Sequence, residues 1–191
     1  GDCLEWIHDS IRINAFCGTR FDGSNGNIYL RIYENGLPVS YALLGLRSRS
    51  TVRASGCTLI QEGCVGSVSY QVTFRLGSDG IWFWDVSLRG EASQIDFIYT
   101  QDIACGSKGS VLSNELYLAQ YLGHTVLEGP DGFVICSREN MNQGTGFPYI
   151  QQGSLGIRTV SYCTDATQFL GLSYKKTNTP QLLTNNLPVY H

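Results

Sequence analysis

The sequence predicts an all-β domain built as an antiparallel sandwich, and three observations carry that expectation. First, the composition favours strands and tight turns: 22 glycines, 12% aromatic residues and only 15% charged residues in a chain of 191, a balance that also argues against disorder and against a solvated helical protein. Second, short runs of alternating or continuous apolar residues recur along the chain. Third, Gly, Asn, Asp and Ser punctuate those runs at the roughly 8–12-residue spacing of sandwich strands.

Taken in order, Ile28-Tyr29-Leu30-Arg31-Ile32-Tyr33 runs into Glu34-Asn35-Gly36, and Asn-Gly after a strand signals a hairpin because both residues accept positive φ. Val68 to Leu76 alternates in polarity, Gly77-Ser78-Asp79-Gly80 turns the chain, and Ile81 to Leu88 begins again as a strand. Further strands are predicted over Gln94 to Gln101, Thr125 to Glu128, Phe133 to Ser137 and Thr159 to Tyr162, with Gly129-Pro130-Asp131-Gly132 as a turn between two of them. Residues Ser113 to Leu122 admit two readings. One is a helix capped by Ser113 with Leu112, Leu116, Ala119 and Leu122 on one face; the other is a strand with Leu116, Leu118, Gln120 and Leu122 on one side. The strand is preferred because its surroundings are strands. No repeat, linker or composition break divides the chain, so residues 1–191 are expected to form one domain.

Charge and motif exclude several functions. The net charge is -3, and the nearest basic cluster, Arg47, Arg49 and Arg53, has no interleaved aromatics, so no nucleic acid partner is expected. No apolar run approaches the roughly 20 residues of a membrane-spanning helix, so no membrane partner is expected. The seven cysteines, Cys3, Cys17, Cys57, Cys64, Cys105, Cys136 and Cys163, are odd in number and include no CxxC. They are expected to be free thiols in a reducing cytoplasm, and neither a metal nor a cofactor is expected. His8, His124 and His191 lack metal-ligand spacing.

Two groups of residues remain as candidates for chemistry. Glycoside cleavage needs two carboxylates across a sugar ring, and Asp102 and Glu115 are the acids best placed by their polar, aromatic-flanked context; turn capping is the competing reading. The stretch Ser137 to Gly153 is rich in amides and glycines. Arg138, Asn140, Gln143 and Gln151 offer donors and acceptors to sugar hydroxyls, and Tyr149 offers a ring for the apolar face of a sugar. A long irregular loop of this kind is either functional or an Ω-loop packed by its own side chains.

Four blocks, read together, carry a family resemblance: Ile98-Tyr99-Thr100-Gln101-Asp102 with Ser113-Asn114-Glu115-Leu116-Tyr117-Leu118-Ala119-Gln120-Tyr121; Val134-Ile135-Cys136-Ser137-Arg138-Glu139-Asn140; Phe147-Pro148-Tyr149-Ile150-Gln151-Gln152-Gly153-Ser154; and Val160-Ser161-Tyr162-Cys163-Thr164-Asp165 running on to Gly171. In this order they resemble the N-terminal domain of cellobiose phosphorylase and its relatives, which include cellodextrin and β-1,2-oligoglucan phosphorylases and cyclic β-glucan synthases. Glu139 stands where that family leads one to expect Gln, Tyr149 where it leads one to expect Trp, and the first 60 residues match loosely. The resemblance implies an antiparallel β-supersandwich of the galactose mutarotase-like kind. It implies a cytoplasmic, homodimeric, inverting phosphorylase as parent, cleaving a β-glucoside or β-glucan with inorganic phosphate. The family's general acid is an Asp on a C-terminal helical-barrel domain. The chain stops at His191, so it is expected to be a non-catalytic part of that enzyme, shaping the active-site mouth and the dimer. A free-standing carbohydrate-binding module and an assembly module without sugar contact are the alternatives.

Overall fold

The computed structural model describes residues 5–16, 25–45, 47–92, 94–144 and 146–171. They fall into two compact units, residues 25–100 and residues 5–16 with 101–171. Each unit is mostly β, and every pairing between named strands is antiparallel.

The first unit holds β3 (Asn27–Glu34), β4 (Leu37–Ala42), β5 (Ser50–Ser55), β6 (Thr58–Val65), β7 (Val68–Leu76), β8 (Trp82–Arg89) and β9 (Ile95–Thr100). They make a three-stranded sheet, β4-β3-β9, and a four-stranded meander, β5-β6-β7-β8. The expected hairpins are present. Asn35 and Gly36 take φ of 53° and 80°, and Asp79 and Gly80 take 56° and 75°, the left-handed pairs that match strand twist in a two-residue turn. Alternation then sorts the side chains. Ile28, Leu30 and Ile32 of β3 meet Val68, Tyr70 and Val72 of β7 in one buried cluster, with Trp84, Val86, Ile95 and Tyr99 packed against it. Sequence pattern missed β4, β5 and β6, whose side chains are seldom buried on either face.

The second unit begins with β1 (Ile7–His8) and β2 (Ile11–Arg12), which pair with β10 (Gly106–Ser107). A helix, α1 (Lys108–Ala119), leads to the sheet β11-β12-β13, formed by Leu122–Gly129, Gly132–Glu139 and Tyr149–Gln152, and a short α2 (Ala166–Leu170) follows. Two expectations are corrected here. Residues 113–119 are helical, not a strand. Ser107 caps the first turn by accepting the Ser110 amide at 3.2 Å. The helix breaks at Asn114, whose extended backbone (φ −164°) lets its Oδ1 accept the Tyr117 amide at 3.0 Å and start the second piece. The buried residues are Val111 and Leu118, against Ala104, Ala15 and Met141, while Leu112 and Leu116 of the expected helical face are exposed. Nor is Thr159 to Tyr162 a strand; Thr159 makes only an isolated bridge to Gly132.

Gly132 opens β12 with φ of 99°, and a Cβ there would collide with the Thr159 backbone. Gly132→Ala therefore meets both a left-handed φ and main chain that cannot swing aside. We expect it to cost about 2 kcal/mol or more, read as a lowered urea midpoint with an unchanged m-value.

Candidate functional site

The register of β11, β12 and β13 decides which side chains meet. Gly123, Arg138 and Tyr149 are directly opposed, as are Thr125, Cys136 and Gln151, and opposed residues share a face. This face is open: Thr125, Arg138, Tyr149 and Gln151 are exposed, Tyr149 to 71%. The opposite face carries Ser137, Glu139 and Ile150, all buried. Asn140 and Phe147, which flank the following connection, lie beside the open face. An open concavity of ≈ 640 Å³ is lined by Gly123, Thr125, Cys136, Arg138, Asn140, Phe147 and Tyr149, joined by His124 and Ser137; Gln151 lies outside it.

The floor is low because Gly123 has no side chain; a Cβ there would lie 2.9 Å from Asn140 Nδ2. That amide donates to the Tyr121 carbonyl at 3.0 Å, as does the Asn140 backbone. The Arg138 guanidinium stands over the Phe147 ring, 5.0 Å from its centroid, a cation–π arrangement. The lining thus holds the Arg138 cation, the Phe147 and Tyr149 rings, the His124 imidazole, the Thr125 and Ser137 hydroxyls, the Asn140 amide and the Cys136 thiol, and no carboxylate. It suits a neutral polyol with an apolar face, or a polar protein surface.

The structure brings together four of the seven predicted residues, Arg138, Asn140, Tyr149 and Gln151, on this side of the sheet. Gln151 shares their face but lies outside the concavity lining, as do the other three. Gln143 is spent internally: its Oε1 accepts the Ser107 amide at 2.9 Å and its Nε2 donates to the Met141 carbonyl at 3.1 Å, tying the loop to the start of α1. Asp102 accepts the Phe16 amide at 2.6 Å and so anchors residues 5–16. Burial is the main cause raising its pKa, opposed by hydrogen bonds from Phe16 and Ala15 and by the Arg12 charge, and reinforced by Glu115. Glu115 is exposed on α1. The predicted loop is also shorter than its composition suggested, because Tyr149 and Gln151 belong to a strand.

Gly123, Thr125, Cys136 and Phe147 were not among the predicted site residues. Two-residue alternation back from Arg138 points to Cys136, but finding Thr125 and Gly123 needs the β11–β12 register. The loop itself is fastened by Glu139, wholly buried, whose Oε1 accepts the Met141 amide at 2.7 Å. Its Oε2 is buried without a hydrogen-bond partner among the described residues.

Desolvation shapes neighbouring titratable groups, strongly at the buried Cys105 and in part at His124, which stays exposed on the surface. His124 Nδ1 lies 2.8 Å from Ser137 Oγ, and burial lowers its pKa. Cys105 is buried, and its thiol is pushed up to about 12 by burial and then by Glu139. Cys57, Cys64, Cys105, Cys136 and Cys163 are free thiols; Cys3, Cys17 and His191 lie outside the described residues. Among the described residues no cluster of His, Cys, Asp and Glu has metal-binding geometry, and no helix is long and apolar enough to cross a membrane.

The fold defines a β-rich domain with an open, aromatic-bearing sheet face, and comparison with known proteins gives its family. The family described as "SOGP N-terminal domain" matches residues 1–189, and the chain belongs to that family. It is 30% identical over 176 residues to the 1,2-beta-oligoglucan phosphorylase of Listeria innocua serovar 6a (strain ATCC BAA-680 / CLIP 11262). The match covers 92% of this chain and 16% of that protein, so the chain spans about a sixth of the relative's length. The resemblance to the N-terminal domain of glycoside phosphorylases read from the sequence thus holds.

Two outcomes follow from the burial pattern. A thiol reagent applied to the native protein should modify the exposed Cys57 and Cys64 and spare Cys105, with peptide mapping as the readout; modification of Cys105 at the rate of Cys57 would contradict its placement. For His124 the folded value lies below the ordinary 6.5, so the fold favours the neutral ring. Its contribution is complete above pH 6.5 and is lost as pH falls through the lowered value. Asp102 has the opposite sign, contributing fully below 3.8 and losing its contribution as pH rises through its raised value. Subtracting the His124→Gln stability profile from the wild-type profile should therefore leave a slope just below pH 6.5, and a flat difference would refute the assignment.

Proposed function

We propose that this chain is the non-catalytic N-terminal domain of an inverting phosphorylase acting on β-1,2-linked glucans, with the Arg138–Tyr149 face turned toward the glucan at the active-site mouth. The observation that carries the reading is the in-register placement of Arg138, Tyr149, Thr125 and Gln151 on the exposed side of one sheet, in a chain related over most of its length to a 1,2-beta-oligoglucan phosphorylase. An exposed ring beside fixed donors and acceptors is the usual way to hold a sugar, whose hydroxyls hydrogen-bond at the edge and whose C–H face packs on the ring.

In this reading residues 1–191 form a single domain within a mutarotase-like β-supersandwich. The parent uses inorganic phosphate, supplies its general acid from a C-terminal helical-barrel domain, and works as a homodimer. Free thiols at exposed Cys57 and Cys64 agree with a cytoplasmic location. One observation favours a second reading, contact with the barrel instead of sugar: Leu127 and Val134 are opposed on the same face and exposed, and exposed aliphatic pairs suit a protein partner.

The two readings separate in the full-length enzyme. Tyr149→Ala should raise KM for β-1,2-oligoglucan about tenfold, equivalent to ~1.4 kcal/mol, with kcat and thermal stability near wild type. Loss of stability or of dimer with KM unchanged would favour barrel contact. Unchanged kinetics, stability and oligomeric state would remove the face from function altogether.

A further inference from the structure

We propose that Gln143 is a positioning residue for the Arg138–Tyr149 face: from the start of α1 it sets where Phe147 lies, and through Phe147 how the Arg138 guanidinium is presented to sugar. The inference deepens the function proposed above and rests on that reading for the identity of the ligand.

The Gln143 side chain is bound at both ends of its amide. Its Oε1 accepts the Ser107 amide at 2.9 Å, and its Nε2 donates to the Met141 carbonyl at 3.1 Å. A backbone N–H only donates and a carbonyl only accepts, so these partners fix which end of the side-chain amide is which. Both partners are themselves held. Ser107 pairs with Ile11 across β10 and β2, and its hydroxyl caps the first turn of α1. Met141 packs against the cluster of Ala104, Val111 and Leu118, and its amide donates to Glu139 Oε1 at 2.7 Å. Gly106 leaves the room for this junction: a Cβ there would lie 2.8 Å from Leu118 Cδ1 and 3.5 Å from Gln143 Oε1.

The backbone of Gln143 carries the effect onward. Its N–H donates to the Gly146 carbonyl at 2.9 Å, and the Glu139 N–H donates to the Pro148 carbonyl at 2.9 Å. Phe147 stands in sequence between those two bonded residues. One bond is set by β12, the other by where Gln143 sits. The Phe147 ring, 46% exposed, then meets the Arg138 guanidinium 5.0 Å from its centroid. An exposed arginine has many rotamers, and ordering one on binding costs entropy; a ring against the guanidinium restricts them beforehand. Gln143 is not among the residues lining the concavity, so it acts through Phe147 and not by touching the ligand.

Two measurements on the full-length enzyme test this. Gln143→Met keeps the reach of the side chain and removes both of its hydrogen bonds. For phosphorolysis of β-1,2-oligoglucan it should raise KM about fivefold with kcat unchanged, and the Gln143→Met/Phe147→Ala double variant should be no worse than Phe147→Ala alone. Effects that multiply in the double variant would overturn the positioning role. So would an unchanged KM in Gln143→Met beside a raised KM in Tyr149→Ala, an outcome that leaves the sugar face standing. Gln143→Asn, one carbon too short to reach both partners, should act in the same direction and serves if Gln143→Met does not fold. The second measurement needs no ligand. Hydroxyl-radical labelling of Phe147 should rise about twofold in the Gln143 variant while that of Tyr149 stays at the wild-type level. Wild-type labelling of Phe147 would overturn the proposal whatever the enzyme binds. If Tyr149→Ala leaves KM unchanged, the sugar reading fails and the labelling alone judges Gln143.

Discussion

Register in the antiparallel pairs governs both units, because a slip of one residue would exchange the buried and exposed sides of every strand it touched. In the first unit the two-residue turns at Asn35-Gly36 and Asp79-Gly80 set that register. They put Ile28, Leu30 and Ile32 against Val68, Tyr70 and Val72. In the second unit the same constraint aligns Gly123, Arg138 and Tyr149. Here it is reinforced from outside the sheet, since the Gly132 backbone is bridged to Thr159 and admits no side chain. The candidate site is thus a by-product of pairing: three residues far apart in sequence share a face because their strands cannot slide.

The segment from 139 to 148 shows how polar groups divide between building a site and forming it. Glu139 and Gln143 point inward and are committed, one to the Met141 amide and the other to Ser107 and Met141. Asn142 closes a local turn by accepting the Gly144 amide at 2.8 Å, and Asn140 holds the Tyr121 carbonyl. Buried polar groups must be satisfied or they cost stability, and the described residues between β12 and β13 have few ladder bonds to offer. Its amides supply them instead. What is left for a partner is carried by strands: the Arg138 guanidinium, the Tyr149 ring and the Gln151 amide.

Legibility in the sequence follows from the same physics. β7 was readable from end to end because one side is buried and the other is not, giving clean alternation from Val68 to Leu76. β5 was not, because with exposed residues on both sides its sequence carries no period. The helix was misread for a subtler reason. Val111 and Leu118, seven residues apart, are the buried pair, but the break at Asn114 interrupts the helical period between them, and the surviving local pattern, Leu116 and Leu118, imitates a strand. At the site, Arg138 and Tyr149 were legible by residue type. Thr125 and Gly123 were not, since only the β11–β12 pairing brings them there. Gln143 was chosen for a chemistry that its neighbours had already claimed.

The open faces of the two units pose one physical question from two sides. On β11-β12-β13 the exposed side mixes a cation, rings, amides and a hydroxyl, a composition that remains wetted at little cost and gains from a polar ligand. On β5 and β6 the exposed residues include the aliphatic Val52 and Leu59, which a small polar ligand would not improve. Of the two faces, the one bearing Arg138, Tyr149 and Gln151 is therefore the better suited to the proposed sugar contact.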